Sequence, residues 1–252
     1  MNILLTNDDG IRSKGIYCLY RALKKIGRVD VVAPESEQSA VAHGITMHDP
    51  LRVKKVVMAK GYFGHAVSGT PADCVKIAIR SILKKKPDMV ISGINLGPNT
   101  GYSVLYSGTV SGATEGAILG IPSFAVSLGA YENPDFKPAV SFANKLAGAI
   151  YKRGLPKGVF LNVNVPGLRQ RLIKGIRYTR QGLTPILERY DKRIDPRKRV
   201  YYWLTGETMM LKGHKNSDIE ALKAGYISIT PLHCDMTKHL FLDSLEDWNL
   251  RV

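Results

Sequence analysis

Cysteine is scarce: Cys18, Cys74 and Cys234 stand far apart, odd in number and outside any CxxC pairing. That argues against a zinc cage or a disulfide framework and reads them as small buried hydrophobes. The six histidines form no HExxH or other helix-spaced pair, so any metal should be held by oxygen. Neither GxxxxGKS/T nor GxGxxG occurs, which excludes a Walker loop and makes a nicotinamide-dependent dehydrogenase improbable. No apolar run approaches the roughly 20 residues needed to span a bilayer. The first residues lack a basic leader, a long apolar segment and a small-residue cleavage site, so the expectation is a cytoplasmic protein with no membrane partner. Acid is the other shortage: 21 Asp plus Glu face 36 Lys plus Arg, a formal charge of +15. The excess is densest in residues 169–180 and 188–199. It suits nucleic acid, nucleotides or another polyanion, or simply a solvated basic surface, without choosing among them.

The chain opens on MNILLTNDDG. Ile3, Leu4 and Leu5 form an apolar run too short for a helix and suited to a strand buried on both faces. Asp8 and Asp9 follow, then Gly10, and residues 13–26 carry Ile16, Leu19, Tyr20, Leu23 and Ile26 at helical spacing. Strand, acidic loop and helix is the order that places ligands beyond the carboxyl end of a strand in open α/β sheets.

Residues 29–33 make a second strand, followed by a hydroxyl-rich loop with Ser36, Ser39 and His43. Residues 51–57 and 62–67 read as a hairpin across Lys60 and Gly61. Thr70, Pro71 and Asp73 spell the start of a helix, with Thr70 as N-cap and Asp73 closing a capping box. Residues 88–92 form a third strand, leading into a glycine-studded stretch in which Ser107, Gly108 and Thr109 should begin a helix. Such a start is an anion site, for phosphate above all. Strands at 122–128 and 159–165 enclose a helix at 138–152. The alternation calls for a mostly parallel sheet wound on both sides. Past Pro166 short segments at 176–178 and 200–204 suit hairpins that leave the main body. Such an arm suits subunit contacts or a loose loop. Ser217 and Glu220 then cap a short helix, residues 226–230 form a strand, and the tail places Leu240, Phe241, Leu245 and Trp248 at helical spacing, ready to dock on the body or a partner.

If the first three strands are neighbours, the loops with Asp8 and Asp9, with Ser39 and with Asn95 open on one edge. Two carboxylates, a hydroxyl and an amide carbonyl make an all-oxygen site for Mg²⁺ or Mn²⁺, with Ca²⁺ also accepted. A metal beside the Ser107–Thr109 cradle suggests phosphoryl chemistry. Adjacent side chains of an extended strand point to opposite faces, so the backbone at residues 8–10 must bend for Asp8 and Asp9 to share an ion.

NILLTNDDG, the SEQSA loop, SGTPADCV, and SGINLGPNTG followed by YSGTVSGATEG together resemble the SurE family of metal-dependent nucleotidases, in the same order and over nearly the whole chain. The resemblance implies a Rossmann-like fold with a catalytic core at residues 1–166. Residues 167–252 would then hold a β-hairpin arm, a returning helix and strand, and a swapped C-terminal segment that builds a homodimer or homotetramer. It implies one divalent metal per subunit, held by Asp8, Asp9, Ser39 and Asn95, with Asp8 and Asp9 catalytic. Asn99, Ser107, Gly108 and Thr109 would bind phosphate. The implied reaction is hydrolysis of nucleoside 5′- and 3′-monophosphates, with short polyphosphate as a side substrate and no role for DNA. Glu115 and His43 are candidates for the general acid only by their nearness in sequence. The rival reading is a non-catalytic nucleotide or RNA binder that uses the basic arm.

Overall fold

The computed structural model describes residues 1–58, 62–183, 189–205, 215–248 and 250. A nine-stranded sheet runs β3 (Val53–Met58), β4 (Tyr62–Val67), β2 (Arg28–Pro34), β1 (Asn2–Thr6), β5 (Met89–Leu96), β6 (Ser123–Gly129), β7 (Val159–Pro166), β11 (Ile227–His233) and β8 (Ile176–Tyr178). Every strand from β4 to β7 lies parallel to its neighbour; β3 and β11 run against β4 and β7. The hairpin of β3 and β4 is present, and its turn at Lys60 and Gly61 falls outside the described residues.

Period-two burial in β1 sends Ile3 and Leu5 to one face and Leu4 to the other. The first face packs on α1 (Lys14–Leu23) and α5 (Lys137–Arg153), through Ile16, Leu19, Ala143 and Ala147. The second covers β1, β2 and β5 with α2 (Pro71–Ile77) and its π-helical extension Ala78–Ile82. The third layer is completed on that face by α4 (Gly108–Ile118), after the short α3 (Ser103–Tyr106). This is a three-layer α/β fold, as the alternation of elements implies. At the start of α2, Thr70 and Asp73 form the expected reciprocal capping box. The first helix stops three residues short of its expected end, since Gly27 must pass against the Met1 carbonyl, where a Cβ would come to 2.4 Å.

The glycines of α4 set how closely it lies on the sheet. Gly108, Gly112 and Gly116 recur every four residues on one face. A Cβ on them would come to 2.8 Å from Asp8 Cβ, 2.8 Å from Ser92 Oγ and 2.9 Å from Val90 Cβ. Any larger side chain would push the helix start away from β1.

Beyond β7 the structure departs from the sequence expectation at one place. Ile176–Tyr178 does not leave the main body; it pairs in parallel with β11 as the last strand of the sheet. The strand β11 offered an open edge, and the hydroxyl of Thr179 bonds Ser228 and Thr230 at 2.8 Å each, fixing the register. The arm that does stand apart is β9 (Arg189–Ile194) with β10 (Val200–Thr205), an antiparallel pair exposed along its length. α6 (Asp218–Lys223) precedes β11, and α7 (His239–Glu246) follows it, with Leu240 87% exposed and Phe241, Leu242 and Leu245 also open. Among the described residues no helix is long and apolar enough to cross a membrane.

Candidate metal and phosphate site

The strand order places the site. From β1 the chain moves to β2 on one side and later returns to β5 on the other, so β1 stands at the topological switch point, where the loops after β1 and β5 part and leave a crevice. The three loops expected to meet do open on this edge.

After Thr6 the backbone bends at Asp8 and Asp9, and Gly10 takes φ +92°, a conformation favouring glycine, with the Ser36 carbonyl carbon 3.3 Å from where a Cβ would stand. The bend is locked by Ile11 N–H donating to Pro34 O at 2.8 Å and Gln38 N–H donating to Asp8 O at 2.8 Å. Asp8 is 4% exposed, and its Oδ1 accepts a short hydrogen bond from Thr109 Oγ1. Burial pushes the Asp8 carboxyl up, against the opposing bonds from Thr109. For Asp9, burial first and then the charges of Asp8 and Glu37 push the carboxyl up to about 7. Among the described residues neither acid has a basic partner in an ion pair. Two adjacent, partly desolvated carboxylates without a counter-charge fit a cation.

A cavity of about 270 Å³ gathers Asp8, Ser39, Asn95, Asn99 and Ser107, with Tyr106 and Tyr131 among its other walls. Asn95 reaches it because the pairing of β5 with β6 slips at Gly93/Asn95, a bulge that re-aims the end of the strand. Its Nδ2 donates to Leu96 O (3.2 Å) and Gly97 O (2.8 Å), which leaves Oδ1 for the cavity. Ser39 Oγ donates to Glu37 Oε1 at 2.6 Å and keeps its lone pairs. The donor set of Asp8, Asp9, Ser39 and Asn95 is all oxygen and fits Mg²⁺ or Mn²⁺.

Three candidate residues sit off the cavity wall: Asp9, Gly108 and Thr109. Ser107 is the N-cap of α4 and accepts from Val110 N–H at 3.1 Å, so the expected helix start is where it was placed. Thr109, fully buried, spends its hydroxyl on Asp8. His43 and Glu115 bond each other at 2.9 Å, and Lys76 Nζ reaches Glu115 at 3.2 Å. Burial opposes the Glu115 charge, yet the bonds from His43 and Lys76 outweigh it and hold the carboxyl below its usual range. Neither His43 nor Glu115 lines the cavity; they tie the Ser39 loop and α2 to α4.

Sequence reasoning missed the residues that hold Asn99. Asn164 Oδ1 accepts from Asn99 N–H at 2.8 Å, while Asn162 Nδ2 (2.8 Å) and Asn164 Nδ2 (3.0 Å) both donate to Asn99 O. Asn99 Nδ2 donates to Ser127 Oγ at 2.9 Å. Two residues further along the loop, Gly101 N–H (3.0 Å) donates to Asp218, which also takes Gly182 N–H (2.9 Å) and its neighbour Ile219 N–H (2.8 Å). The signal was present in VFLNVNV: two amides two residues apart, on one face of an otherwise apolar strand, are too costly to bury without partners.

A family model described as "Survival protein SurE" matches residues 3–187, which include every residue of the cavity wall. The chain is similar to "5'-nucleotidase SurE" of Syntrophobacter fumaroxidans, 53% identical over 250 residues, 99% of this chain and 100% of that one. The protein of the same name from Moorella thermoacetica is 52% identical over 246 residues, 97% and 95% of the two chains. Among solved structures, "Crystal Structure of Sure Protein from Aquifex aeolicus" aligns at TM-score 0.87 and 43% identity, over 99% of this chain and 100% of that one.

Proposed function

Since this chain belongs to the survival protein SurE family, we propose that it is a 5′-nucleotidase, a divalent-metal-dependent phosphomonoesterase acting on nucleoside 5′- and 3′-monophosphates, with short polyphosphate as a side substrate. What supports the reading is the convergence of Asp8, Ser39, Asn95, Asn99 and Ser107 on one cavity at the switch point of the sheet, together with the names of the relatives.

Asp8, Asp9, Ser39 and Asn95 would hold one Mg²⁺ or Mn²⁺ ion. When bound, that ion neutralises phosphoryl charge and lowers the pKa of a water. Asp8 is aimed by Thr109, so Thr109 contributes through the carboxylate it holds. Gly108 leaves the helix start open against Asp8. Asn99 and Ser107 meet the phosphate oxygens, and because β7 fixes the Asn99 backbone from both its N–H and its C=O, that donor is set before substrate arrives. The exposed apolar residues of β9, β10 and α7 support a homo-oligomer, dimer or tetramer, assembled through them.

The test is phosphate release from AMP with Mn²⁺, with and without chelator, for the native chain and Asp8→Asn. We expect chelation and the substitution each to abolish release while the far-UV CD spectrum stays native. Full activity in Asp8→Asn would sink the metal-ligand assignment, and binding of RNA without chelator-sensitive phosphate release would favour the rival binder.

A further inference from the structure

A second, larger cavity lies on the opposite face of the sheet from α4. It holds about 410 Å³ between α1 and the start of α5, and its wall includes Lys14, Tyr17, Arg21, Lys25, Phe136 and Lys137. Lys14, Tyr17, Arg21 and Lys25 follow one another at steps of three and four residues, a single stripe along α1 and the turn after it.

Helix physics argues against this placement. Lys14 opens α1 and Lys137 opens α5, where the positive end of the helix dipole disfavours a cation, and neither helix has an acid in its first turn. Residues 10–27 carry Arg12, Lys14, Arg21, Lys24 and Lys25 and no acid at all, and Arg21 and Lys25 are like charges four apart. Among the described residues none of the four cavity cations makes an ion pair. The acid in the wall, Asp135, accepts the Lys137 backbone N–H at 3.1 Å and so complements the start of α5, which leaves one carboxylate against four cations and none at the start of α1. Phe136 closes the floor with its ring buried in the core, and on the wall the partly exposed Tyr17 ring has the Arg21 guanidinium 6.0 Å from its centre.

Cations set where the fold disfavours them, and converging on a cavity of ligand size, call for an anion. We propose that this groove binds a nucleoside di- or triphosphate, with the phosphate chain along Lys14, Arg21, Lys25 and Lys137 and the base against Tyr17. A monophosphate would leave cations unmatched. The groove shares no lining residue with the metal and phosphate cavity, so it is a second site and does not depend on the nucleotidase reading.

The probe is the β,γ-methylene analogue of ATP, titrated by calorimetry into the native chain in EDTA, which silences any metal site. One equivalent per chain should bind. Arg21→Glu with Lys25→Glu should weaken binding by about tenfold or more and leave phosphate release from AMP unchanged. Lys137→Gln should weaken binding and leave Tm at or above the native value, since it removes a cation from the positive end of a helix; a folding defect would lower Tm. Absence of saturable binding to the native chain, or binding indifferent to these variants, would overturn the site. Inorganic tripolyphosphate binding as tightly as the analogue would overturn the nucleotide assignment.

Discussion

Replacing Ser127 by Ala tests whether the pocket is organised from behind. The Ser127 hydroxyl accepts the Asn99 amide at 2.9 Å with both groups buried. Its loss leaves that amide either orphaned, at a cost of about 1–3 kcal/mol, or turned to another partner and away from its set direction. Either way transition-state stabilisation should fall by a similar amount, about 5- to 150-fold in kcat. Removing the donor itself, in Asn99→Ala, should cost about 10²–10³ in kcat. If Ser127 acts through Asn99, the double variant should be no worse than Asn99→Ala alone. The coupling would then equal the whole Ser127 effect, about 1–3 kcal/mol. Initial rates of phosphate release from AMP with Mn²⁺ give the four values, and urea unfolding of the same proteins separates catalysis from stability. Additive effects, with coupling below about 0.5 kcal/mol, would refute the positioning role. Native activity in Asn99→Ala would refute the role of Asn99 itself.

Two further outcomes follow from carboxylates that burial perturbs. Asp218→Ala orphans the N–H groups of Gly101, Gly182 and Ile219, so urea unfolding should show a loss of about 3 kcal/mol or more, with Asp218→Asn losing less; a loss below about 1 kcal/mol would show that other groups or water satisfy them. In chelator, the folded chain holds the Asp9 proton more tightly than the unfolded chain, because its carboxyl is pushed up to about 7 from 3.8. That contribution to stability is present below the ordinary value and is lost as pH rises through about 7, on the order of 1–3 kcal/mol after solvent screening. Thermal midpoints in chelator should therefore fall between about pH 5 and about pH 8 by more than they do with saturating Mn²⁺, and equal profiles with and without the ion would contradict the account.

Much of the candidate site is legible in the chain itself. The Thr70–Asp73 box and the Ser107 helix start are local events, decided by residues within a turn of one another, whereas the Asp8–Asp9 bend is signalled by Gly10 and locked from a distance by Pro34 and Gln38. Strand and helix periodicity are local too, which is why the layered α/β fold could be read from the chain. The destination of Ile176–Tyr178 was not legible, because a three-residue exposed strand has no pattern of its own and took its place from the open edge of β11.

The sequence by itself determined which loops carry the candidate oxygen donors and that they follow strands, since burial pattern and capping chemistry are written in neighbouring residues. Only the tertiary structure decided that β5 returns beside β1 and opens the crevice between their loops. It alone set Thr109 on Asp8, 101 residues away, and Asn164 on Asn99, 65 residues away. Those partners are chosen by strand order and by how closely α4 can lie on the sheet, and neither is a property of any short stretch of chain.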